Sequence, residues 1–118
     1  MATFSKILLS ASDSGRAINI GTTGSNATLI HQAVAGTVSF DEIWLYAINA
    51  YGSNVGLTIY WGGTSVSDKF QMNVPANGAG HLMVTDGRLL NNSNLVQASC
   101  EAAGTNGIFV EGFVNRIQ

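Results

Sequence analysis

The sequence predicts an all-β protein, an antiparallel β-sandwich that is jelly-roll-like by preference. Short apolar runs recur along the chain, and turn-forming residues separate them at intervals of about 8–12 residues. No stretch keeps helical spacing over about ten residues between recognisable caps. The 118 residues suffice for one domain with a core and are too few for two. We therefore expect a single domain over residues 1–118, in which residues 1–5 are free to serve as an N-terminal arm.

The stretch 40–50 is the central strand of this prediction. After its two acidic residues it runs without a charge, a glycine or a proline, and it is rich in β-branched and aromatic residues. Its side chains are apolar on both faces of an extended chain, so both faces must be covered. One face belongs to the core of the domain. The other face, which carries Trp44, Tyr46 and Ile48, needs a second sheet, a partner subunit or a larger assembly.

The predicted strands before this one are shorter. Residues 4–10 form the first strand, and 11–15 form a turn of short polar side chains and glycine. Residues 16–20 alternate between polar and apolar positions. After a second polar loop, residues 28–34 form the strand that leads towards the central one.

The cleanest alternation follows the central strand. Residues 55–61 place valine, leucine, isoleucine and tryptophan on one face. The intervening turn at 51–54 predicts a hairpin between 40–50 and 55–61. Residues 70–74 form another strand, which Pro75 ends because proline cannot donate a hydrogen bond to a ladder.

The last third of the chain is predicted to form strands at 81–84, 95–99 and 108–117, with a turn at Asp86–Gly87. The final strand resembles the central one because Phe109 and Phe113 alternate with isoleucine and valine. Two strands that are apolar on both faces are hard to bury inside so small a domain. We therefore expect a subunit interface.

Charge is unusually scarce in this chain. Charged residues make up 10% of it, whereas a soluble domain usually carries about 25%. The net charge of −2 and the scattered basic residues form no basic stripe, so nucleic-acid binding is not expected. The sequence shows neither a leader peptide nor a long apolar segment, so we expect neither secretion nor a membrane partner. An exterior of neutral and apolar groups is typical of a surface that contacts other protein.

Candidate chemical groups are few. His31 and His81 each lie in an apolar strand without a neighbouring ligand type, which favours hydrogen-bonded, partly buried histidines over metal ligands. The adjacent carboxylates of Asp41 and Glu42 point to opposite faces of a strand, and we expect two solvated charges. Cys100 is expected to be a free, buried thiol. No nucleophile or phosphate-binding motif is present, so we expect no enzyme, catalytic residue, metal or cofactor.

Aromatic residues offer one other interpretation. Trp44, Tyr46, Tyr51, Tyr60 and Trp61 cluster in the predicted hairpin. A core role is the default for some of them. Stacking of these aromatic rings on sugars is the more specific hypothesis, and a carbohydrate- or receptor-binding module is therefore an alternative function.

Four stretches, at 4–10, 41–47, 60–64 and 112–117, resemble small β-rich virion proteins of tailed bacteriophages and prophages. The resemblance spans nearly the whole chain and includes no catalytic motif. It implies a capsid decoration (cement) protein, a β-sandwich or β-tulip subunit that is often trimeric. Such a protein is made in the cytoplasm of the bacterial host, binds the major capsid protein and resides on the outer surface of the virion.

The residues expected at the interface are Trp44, Tyr46, Ile48, Phe109 and Phe113. A homotrimer would cover the second face of the 40–50 or the 108–117 strand. A head–tail connector or tail component is the structural alternative to a cement protein.

Overall fold

The computed structural model describes residues 2–21, 27–76, 82–101 and 107–118. The strands of these residues are β1 (Phe4–Leu8), β2 (Ile18–Asn19), β3 (Thr28–Gln32), β4 (Phe40–Asn49), β5 (Val55–Trp61), β6 (Lys69–Val74), β7 (Leu82–Leu90), β8 (Leu95–Cys100) and β9 (Ile108–Ile117). One short 3₁₀ helix, Val66–Asp68, precedes β6. Within the described ranges, no helix has the length and hydropathy required to cross a membrane.

The strands form two antiparallel sheets. The first has the order β1-β9-β4-β7, with the short β2 also paired to β9, and the second has the order β3-β8-β5-β6. Apart from β2, the pairing is nested: the first strand pairs with the last (β1·β9), and β3·β8, β4·β7 and β5·β6 follow inwards. The predicted all-β antiparallel sandwich is confirmed.

One hydrophobic core lies between the sheets. Because strand side chains alternate, every second residue of the long strands points into it. From β4, β5 and β9 the core receives Ile43, Leu45, Ala47, Val55, Leu57, Ile59, Ile108, Val110 and Val114. Full burial of each large aliphatic side chain contributes about 1.5–3 kcal/mol.

The predicted hairpin between 40–50 and 55–61 is wrong. Strand β4 lies in the first sheet and β5 in the second, so the two do not pair with each other. Side-chain alternation identifies the buried face of a strand but not the sheet to which it belongs. Buried Asn49 holds the crossing between the sheets: its amide donates to the carbonyls of Ser53 (2.9 Å) and Val74 (3.0 Å), and its oxygen accepts the N–H of Tyr51 (2.8 Å).

The predicted turn at Asp86–Gly87 is also wrong, because both residues lie inside β7. The register between β4 and β7 shifts twice, which marks irregular, bulged pairing. Gly87 has a φ of 84°, and a Cβ at this position would lie 2.9 Å from the Trp44 ring. A bulge and a turn both use glycine at positive φ, so local sequence does not separate them.

The two ends of the described chain pair with each other. The Thr3 N–H donates to the Gln118 carbonyl (2.6 Å), and the Gln118 N–H donates to the Thr3 carbonyl (2.9 Å). Phe4 and Ser5 pair with β9 as part of β1. The use of residues 1–5 as an arm remains a prediction. The predicted strand at 81–84 begins at His81, which lies outside the described residues.

Candidate interaction surface

The five residues predicted to form an interface lie on the outer face of the first sheet. Residues directly opposite each other in a ladder share a face, and Trp44 opposes Phe113 while Ile48 opposes Phe109. Tyr46 lies between these two pairs on β4. All five side chains are half-buried. The nested pairing therefore brings together residues that are about 65 positions apart in the chain, although their role as an interface remains a prediction.

The neighbouring strands extend this surface with further apolar side chains. We call the following set the apolar face: Phe4, Leu8, Phe40, Trp44, Tyr46, Ile48, Met83, Leu89, Phe109, Phe113 and Ile117. Five of the eight exposed large hydrophobic residues among the described residues belong to it, namely Phe4, Leu8, Phe40, Met83 and Leu89. These five are 39–65% exposed. The row Lys6–Asn115–Glu42 crosses this face between two apolar rows. Large exposed apolar patches are typical of surfaces that contact other molecules, and such a contact remains a prediction here.

Sequence reasoning did not identify the exposed members of the apolar face. The signal for Phe4 and Leu8 was present, since they share one face of β1 in simple alternation. Met83 and Leu89 are six positions apart, an even spacing that puts both on one face of a continuous strand. The predicted turn at Asp86–Gly87 hid this relation. Met83 opposes Tyr46 and Leu89 opposes Glu42, because the two register shifts between them cancel.

Aromatic packing orders the middle of the apolar face. The Trp44 and Phe113 rings stack with centroids 5.8 Å apart and an interplanar angle of 12°. The Lys6 ammonium lies 4.7 Å from the centre of the Phe113 ring, a cation–π contact. The Asn115 amide donates to the Glu42 carboxylate over 2.8 Å. Lys6, Glu42 and Asn115 are thus engaged with their neighbours, and the acidic residues Asp86 and Glu111 lie on the same face, opposite Trp44 and Tyr46.

Gly112 permits the close approach of β4 and β9 beneath this stack. It lies opposite Leu45 in the ladder, and a Cβ on Gly112 would lie 1.8 Å from the Trp44 carbonyl oxygen. Any larger residue would push the two strands apart. The apolar face depends on this position because Trp44 and Phe113 flank it.

A second cluster, the buried polar network, consists of Ser10, His31, Asp41 and Arg116. Asp41 is fully buried, so the prediction of a solvated charge is wrong for this residue. Its carboxylate accepts two hydrogen bonds from the Arg116 guanidinium (2.7 and 2.9 Å), one from His31 (2.8 Å) and one from the Val34 N–H (3.1 Å). A strand register that turns Asp41 inwards is tolerated because these donors replace water.

These partners set the pKa of Asp41. Burial by itself raises it, but the hydrogen bonds and charges of Arg116 and His31 outweigh burial and hold the pKa below its ordinary value. Asp41 is therefore ionised at neutral pH, and the Arg116 charge balances it.

His31 is neutral in this network. Its Nδ1 accepts the backbone N–H of Ser10 (3.0 Å) and lies 2.8 Å from the Ser10 hydroxyl, while Nε2–H donates to Asp41. Burial lowers the pKa of His31; the Asp41 carboxylate opposes that shift and the Arg116 charge reinforces it. The prediction of a hydrogen-bonded, buried histidine is confirmed for this residue.

The order Ser10–His31–Asp41 invites comparison with a catalytic triad, but three features favour a structural role. Arg116 already neutralises the carboxylate that would stabilise an imidazolium. The Ser10 N–H competes with the Ser10 hydroxyl for the single Nδ1 lone pair. The Ser10 oxygen also accepts the Gln32 N–H (2.7 Å). The network instead joins β3 of the second sheet to β4 and β9 of the first.

The other sequence candidates are distributed as follows. Cys100 is a buried thiol outside any disulfide, as predicted, and its Sγ–H donates to the Ile20 carbonyl over 3.3 Å. Burial and the charge of Glu101 raise the pKa of this thiol.

The predicted aromatic cluster is divided between the sheets, since Tyr60 and Trp61 are 8% exposed on β5. Among the described residues, no group of three or more His, Cys, Asp or Glu side chains could hold a metal ion.

Comparisons of the chain with protein-family models, with curated proteins and with solved structures found no match.

Proposed function

We propose that this chain is a structural virion protein that binds the outside of a phage capsid as a decoration protein and assembles as a trimer. The observation that carries the proposal is the apolar face, which a single chain leaves open to solvent. Sister copies of this chain are the proposed occupants of that face. The shell contacts, in turn, fall to other parts of the sandwich.

The size of the apolar face supports a stable contact. Strands β4 and β9 pair along ten residues, and four strands lie side by side. At about 3.3 Å per residue and about 4.8 Å between strands, the sheet face covers roughly 600 Å². A specific, stable interface buries roughly 600–1,000 Å² on each partner. The sheet face therefore matches the lower end of this range for one contact, and the second contact of a trimer subunit must use further surface.

The connectivity supports the same class of protein. Nested pairing of eight strands, first with last and inwards in order, is the arrangement expected for a jelly roll. Jelly rolls recur in viral capsid proteins and in lectins. The jelly roll is thus the architecture that we propose for this sandwich.

The charge distribution gives further support. The accessible surface of 6152 Å² is close to the roughly 6,100 Å² expected for a compact monomer of this mass. The low proportion of charged residues is therefore not offset by a small surface. Surfaces that stay in dilute solution usually carry more charge.

Imaging of particles tests the role. Phage particles from the organism that encodes the chain are labelled with antibody against it and viewed by electron microscopy. A decoration protein is expected in many copies over the shell. Label restricted to one vertex, in a ring of about six or twelve copies, identifies a connector instead, and particles without label contradict a virion role.

A further inference from the structure

A groove crosses the outer face of the second sheet, on the side of the sandwich opposite the apolar face. Its volume is about 600 Å³, and it is lined by Gly56, Leu57, Thr58, Gln71, Met72, Asn73, Cys100 and Glu101. We propose that this groove binds a neutral, hydroxyl-rich ligand, a saccharide. Its volume lies within the range of about 300–1,000 Å³ that small-molecule sites occupy.

Gly56 forms the floor of the groove. It opposes Asn73 in the β5·β6 ladder, and the Glu101 carboxylate accepts its backbone N–H from the other side. A Cβ on Gly56 would lie 2.6 Å from the Glu101 Oε1 atom. The absence of a side chain here therefore lets Glu101 lie across β5 and keeps the space between Glu101 and Asn73 open.

The polar groups around this floor suit a polyol. Thr58 and Gln71 are directly opposite in the ladder, and the Gln71 amide lies 3.4 Å from the Thr58 hydroxyl. Together with Asn73 and Glu101 they offer hydroxyl, amide and carboxylate groups within one groove. Each sugar hydroxyl both donates and accepts hydrogen bonds, and this set supplies both kinds of partner.

The charged groups around the groove favour a neutral ligand over an ionic one. Among the described residues that line the groove there is no lysine or arginine, and Glu101 is the one carboxylate. A phosphate or another anion would meet this carboxylate without a compensating cation. The described lining also contains no aromatic ring. Hydrogen bonds must therefore provide the recognition, and we expect a weak Kd of about 1 mM.

The position of the groove makes it independent of the proposed assembly. Thr58, Gln71 and Asn73 point away from the core on the second sheet, whereas the apolar face belongs to the first. Subunits that meet through the apolar face leave the groove open to solvent. The inference therefore does not depend on the oligomeric state of the chain.

Titration followed by NMR tests the groove. The ¹⁵N-labelled full chain is titrated with glucose, galactose, mannose and N-acetylglucosamine, and with inorganic phosphate and spermidine as charged probes. At least one sugar is expected to shift the amide signals of Gly56, Thr58 and Asn73, saturating below about 50 mM for a Kd near 1 mM.

Variants make the test specific to the groove. Asn73→Ala and Thr58→Val are expected to weaken sugar binding at least tenfold, while Gln97→Ala, on the same sheet outside the groove, leaves it unchanged. A dispersed spectrum checks that each variant is folded. The proposal is overturned if no sugar shifts these signals, if only phosphate or spermidine does, or if folded Asn73→Ala and Thr58→Val both bind as the parent chain does.

Discussion

Removal of the Arg116 guanidinium is expected to destabilise the sandwich strongly. Arg116→Ala deletes two charge-assisted hydrogen bonds and leaves the carboxylate of Asp41, which has no exposed surface, without its balancing charge. Breaking one partner of a buried pair costs about 3–5 kcal/mol. The Arg116 side chain is 27% exposed, so water can enter once it is removed, and we expect the lower end, about 3 kcal/mol.

Urea unfolding with linear extrapolation measures this loss, and two variants calibrate it. Arg116→Lys keeps the charge but loses the two-pronged geometry, and is expected to cost about 1 kcal/mol. Arg16→Ala deletes a guanidinium that lies 3.9 Å from Asp13 at the surface, where both side chains are largely exposed. That pair is expected to contribute less than about 0.5 kcal/mol. If Arg116→Ala loses no more stability than Arg16→Ala, the buried network does not stabilise the fold as described.

The pH dependence of the same variant supplies a second check. The folded pKa of Asp41 lies below its ordinary value of 3.8, so its contribution is present above pH 3.8 and is lost as the pH falls through the folded pKa. The difference in unfolding free energy between the parent chain and Arg116→Ala should therefore narrow below pH 3.8. A constant difference across this range would assign the loss to packing rather than to charge.

Three further predictions concern single positions. The folded pKa of His31 lies below 6.5, so the free energy of unfolding should fall as the pH drops below 6.5, by at most about 1.4 kcal/mol per pH unit. His31→Gln should flatten that slope in urea unfolding. An unchanged slope would contradict a neutral, buried imidazole. Gly112→Ala should lower the free energy of unfolding by about 3 kcal/mol or more because the new Cβ would meet the Trp44 carbonyl. Gly52→Ala, whose Cβ would have no atom within 4 Å, should change stability little. Equal losses of stability in the two variants would contradict the close approach of β4 and β9. Cys100 should react with Ellman's reagent only after unfolding, and rapid reaction of the folded chain would contradict its burial.

Much of the fold could be predicted because side-chain alternation reports local burial. Strand β5 matches its predicted bounds of 55–61, and β9 matches 108–117. One face of β4 and β9 fills the core, as the sequence indicated, and the other belongs to the apolar face, whose covering by another molecule stays a prediction. Alternation does not report partners, however, which is why β5 was assigned to a hairpin with β4.

The candidate sites differ in how far sequence could reach them. Seven of the eleven residues of the apolar face follow from alternation in β4 and β9, whereas Met83 and Leu89 were separated in the prediction by a turn that the structure does not contain. In the buried polar network Ser10 contacts His31, His31 contacts Asp41, and Asp41 contacts Arg116; these residues meet only because the nested pairing closes the chain on itself. No local pattern encodes a contact of that range.

The mass of the protein in solution tests most directly whether the apolar face is covered by sister copies. Sedimentation equilibrium at micromolar concentration is expected to give a trimer, three times the chain mass of 12.3 kDa. Met83→Lys combined with Leu89→Lys, both at half-exposed positions of the apolar face, should give a folded species of 12.3 kDa. Val66→Lys, at a residue that is 83% exposed on the 3₁₀ helix, should leave the trimer intact. A parent chain that sediments at 12.3 kDa would contradict the account.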